Sequence, residues 1–208
     1  MDGNLPRTGR DTRRQTILTV AREAFLAEGY AAVSMSAIAA TVGGSKATLY
    51  AYFRSKAELF AAVMQDLSER NEEVLADAGR NAGGLEAALR ALGRRLVRLV
   101  LSEEVLTIHR LAAAESQRFP EVGEALYEVG PRRGSARVAA FLEGEMAAGR
   151  LRKADSLLAA QQLMALCLAD VYRRRLWNVG PPPTEAEMDK VADAAVDTFL
   201  AAYGVRPS

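Results

Sequence analysis

Apolar residues in this chain recur at helical spacing, and no sustained alternation bounded by turns marks a strand. Ile17, Val20, Ala21, Ala24 and Phe25 follow the i, i+3, i+4, i+7, i+8 stripe of an amphipathic helix. Gly29 supplies a left-handed stop after it, and Tyr30 is placed to fold back onto Phe25. Similar stretches follow, punctuated by glycine and by prolines at 120, 131 and 181–183. The expected fold class is all-α, with about nine to ten helices. Half of the 208 residues are hydrophobic, enough to bury a substantial core and to exclude general disorder.

Several classes fall away at once. The longest unbroken apolar run, 163–169, is far shorter than the roughly 20 residues of a membrane span. The start, Met1-Asp2-Gly3-Asn4, is polar and has no apolar leader. One cysteine, Cys167, forms no internal disulfide, which fits a reducing cytoplasm. One histidine, His109, excludes a multi-histidine metal site. Nothing resembles a phosphate loop, a nucleophile–base order or paired carboxylates, so neither an enzyme nor a cofactor is expected.

Net charge is +1, but it is unevenly spread. Residues 1–56 carry eight Lys/Arg against four acids, whereas the remainder carries 19 against 22. A basic head on a mildly acidic body suggests that an anion is met at one end; an arginine-rich composition gives a similar excess.

Residues 1–11 read as a loose arm. The first helix is expected from Arg13 to Glu28, opened by a Thr12–Gln15 capping box. A short helix over 35–41, a glycine turn at Gly43 and a second short helix over 45–52 then read as a helix-turn-helix. Ile38, Val42 and Leu49 point inward, and Ala39 is small where two helices approach. The second helix carries Ser45, Lys46, Thr48, Tyr50 and Tyr52. Hydroxyls and a threonine methyl can meet base edges in a DNA major groove while lysine and tyrosine hold phosphates. An ordinary helical hairpin with a polar outer face gives the same pattern. Ser55-Lys56-Ala57-Glu58 forms a further capping box, opening a helix expected to reach Gly79. Lys56 in its first turn is a candidate phosphate group or a solvated lysine.

The stretch Ile38-Ala39…Gly43…Ser45-Lys46-Ala47-Thr48-Leu49-Tyr50…Tyr52-Phe53…Ser55-Lys56…Glu58-Leu59-Phe60 resembles the N-terminal domain of TetR-type transcriptional regulators. Phe25-Leu26-Ala27-Glu28-Gly29-Tyr30 extends the resemblance, which covers about residues 12–62. Gly44 departs from the pattern, standing where an aliphatic residue is usual. The resemblance implies a three-helix DNA-binding head, residues 1–58, on an all-α ligand-binding and dimerisation body, residues 59–208. It implies DNA contacts by Met35, Ser36, Ser45, Lys46, Ala47, Thr48, Tyr50, Tyr52 and Lys56. Ser36 stands where some members place a base-reading arginine. It also implies a homodimer on a palindromic double-stranded operator, released when a small-molecule effector moves the heads apart. An activator, or a protein that keeps the fold without binding DNA, remains open beside the repressor.

Five or six further helices are expected in the body: 85–101, 102–118, 121–129, 132–149, 155–177 and one capped at Thr184-Glu185-Ala186-Glu187 that ends near Tyr203. The 155–177 helix is apolar around nearly its whole circumference, which calls for burial on all sides. Leu163, Leu166 and Val171, with Val191, Ala195 and Phe199 of the last helix, are the candidate dimer interface. Glu115–Tyr127 resembles body sequences of one broad TetR subgroup. His109 shares a helical face with Ser116 and is either a ligand reader or a hydrogen-bonded core residue. Phe119, Tyr127, Met164, Cys167, Tyr172 and Trp177 complete the candidate pocket set; for Met164, Cys167, Tyr172 and Trp177 a place in the core or an interface is the alternative. Arg173, Arg174 and Arg175 are either an acidic-ligand site or a solvated helix end.

Overall fold

A computed structural model describes residues 9–76 and 83–205. They form ten α-helices and no strand: α1 (Gly9–Glu28), α2 (Met35–Thr41), α3 (Lys46–Tyr52), α4 (Lys56–Ala76), α5 (Leu85–Val100), α6 (Glu103–Glu115), α7 (Pro120–Tyr127), α8 (Arg133–Ala147), α9 (Ser156–Leu176) and α10 (Glu185–Tyr203). The arm residues 1–8 and the expected end of α4 at Gly79 lie outside the described residues. Two compact units emerge. One takes residues up to Leu67 together with Leu111–Leu126; the other takes Ser68–Arg110 and the chain from Tyr127 onward. This division differs from a head ending at residue 58, because α4 runs on past that point and a distant segment joins the first unit.

In the first unit, α1 buries Ile17, Leu18, Ala21 and Phe25. It begins a turn earlier than expected, so the Thr12–Gln15 capping box is not its start. Thr12 already accepts a bond from Thr16 as an interior residue, and Gln15 donates instead to Asp66 at 3.0 Å. Gly29 ends the helix at φ +83°, and the Tyr30 ring stacks on Phe25 at 5.7 Å, as read from the sequence. Phe60 packs edge-on against both rings, at 5.1 and 5.3 Å. Leu59, Phe60 and Val63 of α4 close this core.

In the second unit, α9 packs on α8, α10 and α5, and α5 also packs on α10. Gly93 lets α5 close in: a Cβ there would lie 3.4 Å from the Cys167 sulfur and 3.6 Å from Ala192. Thr184 and Glu187 form the expected capping box of α10. No break separates α7 from α8 at Gly130-Pro131. A π turn over Glu128–Arg132 carries Pro131 instead, a wider turn that accommodates a residue lacking an N–H. The α9 backbone departs from helical geometry at Ala169.

Only half of the candidate dimer interface is open to a partner. Leu163, Ala195 and Phe199 are fully covered inside one chain by the packing of α5, α8, α9 and α10, so they offer no surface to a partner. Leu166, Val171 and Val191 keep partial exposure. The all-round apolar character of α9 is largely consumed within the protomer, because three neighbouring helices already cover it. Its large exposed apolar side chains are Leu157 and Leu158, near its start.

Candidate nucleic-acid interface

Two serines set the helix-turn-helix. Ser34 caps α2 by accepting from Ala37 N at 3.1 Å, and Ser45 caps α3 by accepting from Thr48 N at 3.0 Å. Gly43 turns the chain between them at φ +70°, a region that a side chain would strain. Leu49 anchors the inner face of α3, while Ser45, Lys46, Ala47, Thr48 and Tyr50 stand exposed on the outside. The Ser45 and Thr48 hydroxyls are 2.9 Å apart, and the Lys46 ammonium lies over the Tyr50 ring at 5.8 Å. Tyr52 is half-buried under Arg10, whose guanidinium carbon is 5.9 Å from the ring. Ser36 is exposed at the start of α2.

Two of the expected contacts are placed otherwise. Met35 is buried, since it faces the core from the first turn of α2. The Lys56 ammonium turns inward: it donates to the carbonyl oxygens of Tyr30 at 2.7 Å and Val33 at 3.0 Å, with Ala31 O at 3.4 Å. It also lies over the rings of Tyr30 and Phe119. The carbonyl oxygens of the α1–α2 loop thus already occupy the ammonium's donors from within the head. Half of the Ser55 capping box forms, with Ser55 Oγ accepting from Glu58 N at 3.0 Å. The Glu58 carboxylate reaches Arg54 N rather than the cap residue.

The candidate pocket residues are divided between the two units. Ser116 and Phe119 belong to the first unit. There Ser116 packs where a Cβ on Gly123 would stand 3.1 Å away, and Phe119 meets Tyr30 edge-on at 5.1 Å. In the second unit, Tyr172 Oη and His109 Nδ1 are 2.9 Å apart, with the rings edge to face. Burial lowers the proton affinity of His109 and raises the Tyr172 pKa. A neutral imidazole and an intact phenol result, a hydrogen-bonding pair rather than an ion pair. Met164 lies 3.6 Å from Ser135 Oγ. Cys167 is buried and its thiol is pushed up to about 12, which leaves it no thiolate character. Tyr127 and Trp177 are exposed. Of the three arginines, Arg175 is buried and pairs with Glu103, while Arg173 and Arg174 are exposed.

Residues 17–63 match the model of bacterial regulatory proteins of the tetR family. Residues 87–205, more than half of the chain, match that of the C-terminal domain of AefR-like transcriptional repressors. The chain belongs to the TetR family of transcriptional regulators. The solved structure of a TetR-family regulator from Mesorhizobium loti superposes with a TM-score of 0.85 at 31% identity, covering 96% of this chain and 100% of that one. The flavonoid-responsive regulator FrrA superposes at 0.84 and 33% identity, covering 96% and 100%. The transcriptional activator FasR of Mycolicibacterium smegmatis is 48% identical over 59 residues, 28% of this chain. That alignment spans about a quarter, 27%, of the relative's length.

As a TetR-family regulator the chain is a DNA-binding transcription factor and not an enzyme. No group of three or more potential metal ligands occurs among the described residues, and no described helix is long and apolar enough to cross a membrane. What the sequence reading missed in this TetR head are the α1 arginines. Arg10 lies against Tyr52, and the Arg14 guanidinium carbon is 5.5 Å from the Phe53 ring. Their i, i+4 spacing, which puts both on one helical face, was the available signal.

Proposed function

We propose that this TetR-family regulator is a cytoplasmic homodimeric repressor, released from a palindromic operator by a small molecule. The single observation that carries the DNA half is the outer row of α3: hydroxyls and one ammonium on a helix whose inner face is locked by Leu49. Ser45, Ala47 and Thr48 face base edges. Lys46, Tyr50 and Tyr52 hold the phosphate backbone, and Ser36 approaches it from α2. Two-fold symmetry would place the recognition helices 34–36 Å apart, or a multiple of that, on the operator. Exposed Leu157 and Leu158 on α9 support a dimer.

The release half draws on the relatives. The matched C-terminal model is described as that of a repressor, and FrrA is named for its response to flavonoids. The effector is a planar phenol, met by the His109–Tyr172 pair. A ligand preferring the splayed form weakens DNA binding by its differential affinity for the two forms. A second reading, activation, is favoured by the name of FasR.

The test is selection of binding sites from a random DNA library with the purified protein, followed by a flavonoid titration. The expected result is a palindromic consensus, with the flavonoid raising the melting temperature and lowering DNA affinity. A palindrome with both quantities indifferent to the flavonoid would sink the effector assignment. No enrichment at all would sink the operator.

A further inference from the structure

We infer that Arg13 is a phosphate-contacting residue of the DNA surface, and that Gly44 is what lets its guanidinium reach there. The inference rests on the DNA-binding reading of α3. Gly43 and Gly44 are adjacent but answer different needs. Gly43 takes φ +70° with nothing within 4 Å of where its Cβ would be, so its backbone requires glycine. Gly44 has no positive φ, so its backbone suits any residue. What it leaves is space: a Cβ on Gly44 would stand 2.8 Å from Nη2 of Arg13, the far end of a flexible side chain, with Arg13 Cζ next at 3.9 Å and Thr48 Cβ at 4.0 Å, so a side chain there displaces the guanidinium and leaves the backbone in place. The absent side chain makes room for a guanidinium.

Arg13 leaves α1 one turn before the buried Ile17, and it lines a cleft with Gly44, Ser45 and Thr48. The cleft holds about 10 Å³, room for about one water. No acidic residue is among those lining it. A guanidinium stays charged and carries five donors in a fork suited to phosphate. Here it is half-buried beside the two hydroxyls that open the recognition helix. Arg10 and Arg14 from the same turns of α1 lie against Tyr52 and Phe53, at the other end of α3. The arginine side of α1 thus runs along the recognition helix, and a duplex phosphate flanking the bases faced by Thr48 is the anion that completes it.

The experiment measures affinity for the selected DNA between 50 and 200 mM salt for wild type, Arg13→Ala, Arg13→Lys, Gly44→Val and the Arg13→Ala/Gly44→Val double variant. Loss of one phosphate contact makes the log–log salt slope shallower by about 0.9, so the wild-type advantage over Arg13→Ala shrinks about 3.5-fold across that range. Arg13→Lys restores the slope. Gly44→Val behaves like Arg13→Ala, and the double variant is no weaker than Arg13→Ala alone. Should Gly44→Val fail to fold, Gly44→Ala places a Cβ against the same guanidinium nitrogen and serves instead. An unchanged slope in Arg13→Ala, while Lys46→Ala shifts it, overturns the inference and leaves the DNA-binding reading standing. So does a double variant whose losses simply add. Wild type that enriches no sequence overturns both.

Discussion

The Lys56 ammonium donates to the Tyr30 carbonyl at 2.7 Å and stands 4.4 Å from the centroid of the same residue's ring. Tyr30 in turn donates from its hydroxyl to Glu121 Oε1 at 2.9 Å, and burial with that carboxylate raises its pKa. Lys56 is therefore a clamp on the α1–α2 loop. Lys56→Met should lower stability by about 2 kcal/mol, since hydrogen bonds to a charged group and the ring contact are lost together. Denaturant midpoints measure the loss. The DNA-binding salt slope of the variant should equal that of wild type; a slope shallower by about one unit would return Lys56 to the phosphates.

Lys46 and Thr48 should separate by phenotype. Lys46→Ala weakens binding equally across sequences and flattens the salt slope by about one unit. Thr48→Ala relaxes base preference at one operator position, by roughly 1–3 kcal/mol. Repeating site selection with each variant distinguishes them: an unchanged motif with Thr48→Ala would remove it from the base readers.

His109 is the chain's single histidine, and burial holds its folded pKa below the ordinary value near 6.5. The unfolded chain therefore takes up the proton first as pH falls. Stability from the neutral ring is fully present above about pH 6.5 and declines as pH drops toward the folded pKa. Denaturation at pH 7.5 and 5.5 should show wild type losing stability and His109→Gln losing less. Equal losses would show that another group controls this window.

Arg90, Arg94 and Arg98 of α5 face Glu185, Asp189, Asp193 and Asp197 of α10, a ladder with one rung per helical turn. Arg94 grips Asp193 through two bonds, 3.0 and 2.6 Å, and holds its carboxyl below the usual range. That contribution is present above the unfolded pKa near 3.9 and is lost as pH falls through the folded one. Both groups keep about a third of their surface in water. Asp193→Asn should thus cost under about 1 kcal/mol at pH 7, and less in high salt. A loss of several kcal/mol, insensitive to salt, would contradict a surface ladder.

Much of the head was legible because its signals are local: Gly29 and Gly43 act through their own φ. In the body, the Thr184 cap acts on an amide three residues away. The caps at Ser34 and Ser45 are equally local but were not read from the sequence. Arg110 was not legible. Its guanidinium closes the end of α9, donating to the carbonyls of Arg175 and Leu176 at 2.6 and 3.0 Å, across 65 residues of chain. Nothing within a turn of Arg110 announces that role.

The helices, the glycine turns and the family follow from local sequence, because helical period is decided by neighbours within one or two turns. Which long cations face outward is set by packing between segments far apart in the chain. Lys46 and Lys56 both follow a capping serine, yet one lies on an exposed ring and the other on carbonyls of the α1–α2 loop. Such packing also decided that Leu163, Ala195 and Phe199 lie in the protomer's own core. An apolar side chain gains by leaving water against any apolar surface, so periodicity marks the buried face without saying which surface covers it.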